Sequence, residues 1–198
     1  MYKKPVIVFE GIEGSGKTSH INFVAKYLKK KKIKFIKIRE PGGSKSSEKI
    51  RKLILNSQSN FNKNTDLLLY QAARSENIEQ LKKFHKKKII LIDRFIDSTI
   101  AYQHYGFGVN LSLINYINSY LIKNFKINFT FLNIVNKKNM FKRLKLRNKL
   151  NRYDKFSFNF YKKVQNGFLK LAKKNNKKYM IVDSNQKIEL NKILIKNK

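Results

Sequence analysis

Lys17 and Thr18 close the run Gly11-Ile12-Glu13-Gly14-Ser15-Gly16-Lys17-Thr18, which has the spacing Gly-x-x-x-x-Gly-Lys-Thr. Glycines let the backbone turn its N–H groups inward around a β-phosphate, and the helix that follows adds its positive end. The lysine supplies a mobile point charge, and the threonine hydroxyl is placed to meet Mg2+. The context agrees. An apolar run, Val6-Ile7-Val8-Phe9, precedes the loop, and Ile21, Val24, Ala25 and Leu28 fall at helical spacing between Ser19 and Lys32. Strand, glycine loop and helix in that order make a nucleoside triphosphate site.

The elements that must position this loop follow from the apolar pattern. Five runs read as buried strands: Val6 to Glu10, Phe35 to Arg39, Ile89 to Asp93, Phe129 to Asn133 and Tyr179 to Asp183. Helical spacing predicts helices over Ser19–Lys31, Lys45–Leu55, Thr65–Phe84 and Ser98–His104. It predicts four more over Leu111–Ile122, Lys137–Lys145, Phe156–Lys174 and Ile188–Ile195. Strands alternating with helices predict an α/β fold, a five-stranded parallel sheet with helices on both faces. Ligands of such sheets lie beyond the carboxyl ends of the strands. Glu10 and Glu13, Arg39 and Glu40, and Asp93 and Arg94 follow the first three strand ends, so they converge on one crevice. Asp93, a carboxylate closing an apolar strand, is suited to hold Mg2+ or its water beside the loop. Arg39-Glu40-Pro41-Gly42-Gly43 forces a sharp turn there.

With 198 residues the chain reads as a single domain, 1–198, with no internal repeat. No apolar run approaches the ~18 residues of a membrane span, and the start leaves no room for a signal peptide. The chain has no cysteine, which excludes disulfides and thiolate metal sites; a cytoplasmic enzyme is expected. The net charge of +33 would suggest nucleic acid. However, the lysines are spread over helix ends and turns, in a chain also rich in Asn, Ile and Phe. Compositional drift accounts for that, and no specific nucleic-acid site is expected. Drift makes arginine informative: only Arg39, Arg51, Arg74, Arg94, Arg143, Arg147 and Arg152 occur among 45 basic residues. Their planar forks suit shape-dependent work on phosphates and bases. Arg143, Lys145, Arg147, Lys149 and Arg152 crowd one polar stretch. The glycine loop carries no Arg, so a mobile lid over 143–155 would bring guanidinium charge onto the transferring phosphoryl group.

With these residues assembled, the chain resembles the bacterial thymidylate kinases from Val6 to about Asp183. The resemblance rests on Phe9-Glu-Gly-Ile-Glu-Gly-Ser-Gly-Lys-Thr18, Arg39-Glu-Pro-Gly-Gly43, Ala72-Ala-Arg74, Asp93-Arg94 and Ser98-Thr-Ile-Ala-Tyr-Gln103. It implies a P-loop kinase fold and transfer of the γ-phosphoryl group of ATP, with Mg2+, to the 5′-phosphate of dTMP in a homodimer. The same resemblance implies site roles. Lys17 and the loop amides would hold the donor, Arg94 and Arg39 the acceptor side, and Thr18 and Asp93 the metal. Glu13 would meet the deoxyribose 3′-OH or water on Mg2+. Tyr70, Arg74, Thr99 and Gln103 would read thymine, and Tyr102 would crowd the 2′ position. Arg147 and Arg152 would inherit the catalytic cation role.

Two departures stand out. The family usually shows Arg-Gly-x-x-Asp-Arg in the lid, where this chain has Arg147-Asn-Lys-Leu-Asn-Arg152. After Gln103 the family favours Gly-rich residues with an Arg, where this chain has His104-Tyr-Gly-Phe107-Gly108. The alternatives are a nucleoside or nucleoside monophosphate kinase of other base specificity and a basic nucleic-acid-binding NTPase.

Overall fold

The computed structural model describes residues 3–148 and 150–198; Lys149 of the expected lid lies outside them. Five strands, β1 (Val6–Gly11), β2 (Phe35–Arg39), β3 (Ile89–Asp93), β4 (Phe129–Ile134) and β5 (Tyr179–Asp183), form one sheet. All pairings are parallel, in the order β2-β3-β1-β4-β5. The strands at the centre are apolar on both faces because helices cover both. Phe9, Leu91, Phe131 and Val182 pack on Ile21 and Leu28 of α1 (Lys17–Lys30) and Ile195 of α8 (Ile188–Lys196). Val6, Val8, Ile90 and Ile92 point the other way, onto Ile78 and Leu81 of α3 (Lys63–Phe84). On the opposite half of the sheet, Leu132 packs on Tyr161, Val164 and Phe168 of α7 (Phe158–Lys174).

Side-chain caps fix where helices begin. Ser44 starts α2 (Lys45–Leu55), Asn62 α3, Asn110 α5 (Leu111–Leu121), Asn136 α6 (Lys137–Lys145) and Ser157 α7, each accepting from backbone N–H groups of the first turn. Among the described residues, no helix is long and apolar enough to cross a membrane.

The five predicted strands are present with ends within one residue. Two helices differ in a way that matters. α1 starts at Lys17 rather than Ser19, because the last two loop residues already form its first turn after Gly16 in a left-handed conformation (φ 84°). The helix expected over Ser98–His104 is a short α-helical turn, α4 (Ile96–Thr99), running into a π-helix over Ile100–Gly106. Periodicity cannot anticipate a π segment, whose extra residue per turn is a tertiary effect common at functional sites.

The order places β1 at the switch point: the chain leaves it towards β2 on one side and later returns to β4 on the other. The crevice beyond β1 is therefore where a ligand fits.

Candidate nucleotide site

The loop after β1 is shaped by close backbone approach. A Cβ on Gly11 (φ 139°) would meet the carbonyl oxygen of Asn133 at 2.2 Å, so only glycine passes there. Asn133 is fully buried and pins the neighbourhood. Its amide donates to Glu10 O (3.2 Å), and its Oδ1 meets Nδ1 of buried His20 at 2.5 Å. Lys17 folds back into the loop, donating to Gly11 O (2.9 Å) and Ile12 O (2.7 Å). Burial, with the Arg94 charge adding to it, pulls its ammonium down to about 7. A polyphosphate would reverse that by supplying the missing anion. Thr18 Oγ1 lies 3.3 Å from Asp93 Oδ2, two oxygens at the helix mouth. No group of three or more His, Cys, Asp or Glu side chains able to hold a metal occurs among the described residues. The pair fits Mg2+, which keeps waters and substrate phosphates and takes few protein ligands.

Beyond the loop opens a cleft walled by arginines: Arg39, Arg51, Arg94 and Arg147 all line it, with Lys17 at its base. Arg94 has a left-handed backbone (φ 68°), unusual for a residue with a side chain. That turn sends its guanidinium back over the loop, onto Gly11 O (2.8 Å) and Glu13 Oε1 (2.7 Å). Burial alone would push the Glu13 carboxyl up, but Arg94 and Lys17 outweigh it and hold it below the usual range. Tyr102 donates its hydroxyl to the other Glu13 oxygen, and Arg94 stacks over the Tyr102 ring at 5.2 Å. Glu13, Arg94 and Tyr102 thus form one assembly. Gln103 lines the cleft with both amide atoms buried and without a hydrogen-bond partner among the described residues. Such a group calls for a ligand with a donor and an acceptor side by side. Tyr70 forms the facing wall, edge-on to Tyr153 at 6.0 Å.

Three expected site residues stand elsewhere. Arg74 was expected to share a ligand face with Tyr70. Instead it is 1% exposed and turned inward, donating to Glu40 (2.8 Å), Asn118 (2.8 Å), Gln71 (3.2 Å) and Thr99 (3.0 Å). The reason is electrostatic: Glu40, buried after β2, needs a paired cation. Thr99 is engaged by the same guanidinium and does not line the cleft. Arg152 also lies outside it. Asp66, buried on α3, takes the Arg152 guanidinium, which stacks on Phe61 and Tyr153 as well. Arg147 alone of the two expected lid cations faces the cleft, paired with Asp154. The described residues of the expected lid, 143–155, include the end of α6 and a short 3-10 helix over Arg152–Lys155. Asn151, where the family has Asp, caps that helix: it accepts from Tyr153 N (2.8 Å) and donates to Asp154 (2.5 Å). Phe107, where the family has an Arg nearby, packs on Phe156 and Phe160.

Two arginines with no individual role expected of them line cavities here: Arg51, singled out by scarcity alone, and Arg143, by scarcity and its place in the basic stretch. Arg51 lines the cleft from α2, its guanidinium fixed on Pro41 O at 2.6 Å. Arg143 bridges Gly14 O (2.9 Å) and Ser184 O (2.5 Å), beside a cavity of about 140 Å³ bounded by Gly16, Ser19, His20 and Asn191. The faces they meet depend on packing and could not be read locally.

A glycine loop at the switch point of a parallel sheet, a Thr–Asp pair and an arginine-walled cleft define a P-loop nucleotide phosphotransferase. The comparisons narrow that class. The family profile for thymidylate kinase matches residues 9–195. A thymidylate kinase of a Sulfurihydrogenibium species is 38% identical over 193 residues, covering 96% of this chain and 94% of the relative. That of Thermosipho africanus is 38% identical, covering 92% and 91%. The crystal structure of thymidylate kinase from Ehrlichia chaffeensis superposes with a TM-score of 0.79 at 31% identity, covering 99% and 98%. The chain belongs to the thymidylate kinase family.

Proposed function

We infer that the protein is an ATP-dependent dTMP kinase, transferring the γ-phosphoryl group of ATP to the 5′-phosphate of dTMP to give dTDP and ADP. One observation carries the acceptor class: four guanidiniums and Lys17 surround a single cleft. Even beside the carboxylates of Glu13, Glu40 and Asp93 in the same walls, the cations are in excess, which suits a triphosphate facing a monophosphate better than an uncharged nucleoside.

The acceptor phosphate is already a nucleophile. Its oxygen attacks the γ-phosphorus in line, the bond from that phosphorus to the β–γ bridging oxygen breaks, and ADP carries away the electron pair. No covalent enzyme intermediate is needed. Lys17 leaves its loop carbonyls for the donor phosphates, where the loop N–H groups join it. Arg94, with Arg39 and Arg51, grips the acceptor phosphate. Arg147 leaves Asp154 for the transferring group when the lid closes, supplying the charge that the loop lacks. Arg152 stays on Asp66 and anchors the lid. Thr18 and Asp93 would hold Mg2+, which would supply positive charge to offset that of the donor phosphates. The free Gln103 amide matches the adjacent carbonyl and imide N–H of thymine, and the Tyr70 ring offers a stacking face. Tyr102, backed by Glu13, crowds the sugar. The donor base fits the cavity under Arg143.

A homodimer is supported by apolar side chains left exposed on three helices: Leu53 of α2, Leu68 of α3, and Tyr116 and Tyr120 of α5. The lack of cysteine suits a reducing cytoplasm. Turnover assayed with dTMP, dUMP, dCMP, dGMP and thymidine tests the substrate reading; fastest turnover on any acceptor but dTMP overturns it. Sedimentation tests the dimer, with a monomer at micromolar concentration as the contrary outcome.

A further inference from the structure

Helix α4 begins with Phe95 at its N-cap, a residue with no side chain able to accept from the first N–H groups. Helix starts leave such donors open, and buried ones need partners. Here the partner comes from another strand. Glu10, on β1 just before the glycine loop, accepts from Phe95 N at 2.8 Å and Ser98 N at 3.2 Å through one oxygen. Its other oxygen accepts from Ser98 Oγ at 2.5 Å.

Glu10 is fully buried and lines neither the arginine cleft nor the cavity under Arg143. It therefore has no route to substrate. The segment it holds, however, carries much of what the acceptor meets. Arg94 stands immediately before Phe95, and Tyr102 and Gln103 follow one to two turns later. The backbone bond from Arg94 N to Phe9 O, 3.0 Å, fixes the end of β3. It leaves the direction of the chain after Arg94 undetermined, and the three bonds to Glu10 supply that direction. We propose that Glu10 is a positioning residue for the acceptor. By capping α4 from beneath the loop it holds Arg94 in its left-handed turn and aims the Arg94 guanidinium and the Gln103 amide into the cleft. This rests on the cleft being the acceptor site.

The donor side hangs on different groups. Lys17 is held by Gly11 O, Ile12 O and Ser15 Oγ, and Arg143 by Gly14 O and Ser184 O. Loss of the cap should consequently separate the two substrates. The experiment is steady-state kinetics on Glu10→Gln, with dTMP and ATP varied in turn, beside a thermal melt. The amide conserves volume but turns one acceptor into a donor facing N–H and O–H groups. The expected result is a dTMP KM raised tenfold or more, with the ATP KM within twofold of wild type. Glu10→Asp, which keeps the carboxylate, should recover at least half of that loss on a logarithmic scale. Unchanged constants, or equal shifts for both substrates, overturn the proposal. If Glu10→Gln does not fold, Glu10→Asp decides: a dTMP-selective shift supports the proposal, and an equal or absent one overturns it. Wild-type turnover is measured first. Its absence with dTMP overturns the substrate reading alone, and the same split is then read with the monophosphate that is turned over.

Discussion

The floor of the crevice and the lid above it both set arginines against carboxylates, yet the chain assembles them in opposite ways. On the floor the partners are remote: Arg94 meets Glu13 across 81 positions, Tyr102 meets Glu13 across 89 and Ser98 meets Glu10 across 88. They come together because the β1–β3 register sets Phe9 beside Asp93. In the lid Arg147 meets Asp154 across seven positions, and Asn151 meets Asp154 across three. The lid also leaves Leu146 76% and Leu150 44% exposed. A floor built on the sheet can move only if the sheet does. The stretch around Arg147 is held by local bonds and can swing about residues that stay fixed, Arg152 on Asp66 across 86 positions and the buried Tyr153. Under the proposed mechanism, the difference gives the acceptor grip fixed geometry and the transition-state cation mobility.

The sharpest way to break this contrast is Arg94→Lys. The charge stays, but the fork that spans Gly11 O and Glu13 is lost, and lysine cannot restore it. Turnover with saturating ATP should fall by on the order of 10²–10⁴-fold; a fall below tenfold would deny the floor its fixed role. Next come the two lid arginines, compared as a pair. Arg147→Ala should lower kcat by about 10²-fold with both KM values nearly unchanged, the mark of a contact made in the transition state. Arg152→Ala should cost less than about tenfold, but speed proteolysis within 146–155, because it releases the Asp66 anchor. If Arg152→Ala proved the more damaging in kcat, Arg152 would be the mobile cation. A smaller effect is expected of Asn151→Asp, which restores the residue usual in the family. Here it would set a second carboxylate against Asp154 and remove the donor between them, so kcat should fall by roughly two- to fivefold. An increase would show that the Asn cap hinders closure.

The last prediction concerns protons at the donor side. Without ligand, the Lys17 ammonium is pulled down to about 7 by burial and Arg94. Near pH 7 it is therefore about half protonated, and the phosphates of ATP stabilise the charged form. Binding should take up about half a proton at that pH, and the uptake should vanish at pH 5, where Lys17 is already charged. Titration calorimetry in two buffers of different ionisation enthalpy measures it. For the free protein the sign is that of a depressed amine. Lys17 contributes stability that is present above 10.5 and lost as pH falls through about 7.

Much of this molecule was legible before any coordinates. Apolar runs of five or six residues located all five strands, because strands buried on both faces leave little choice of residue. The loop, Asp93 and Arg94 were placed at strand ends by simple adjacency. Less legible was the direction in which long side chains point. Tyr70 and Arg74 share a helical face by spacing, but a buried Glu40 draws Arg74 away from the cleft. Arg51 and Arg143 stood out by scarcity, while nothing in their immediate neighbours revealed which surface they would meet.

The sequence by itself determined that a phosphate site exists, which strands surround it, and which rare arginines merit scrutiny. Spacing and composition are properties of short segments, and the glycine loop is one segment. The tertiary structure decided where these side chains point: Arg94, Arg51 and Arg147 on the cleft, Arg74 and Arg152 on buried carboxylates, and Glu10 beneath the start of α4. Arg74 and Arg152 turn inward because a carboxylate is buried within their reach. Burial is set by the packing of segments distant in the chain, which no local pattern encodes.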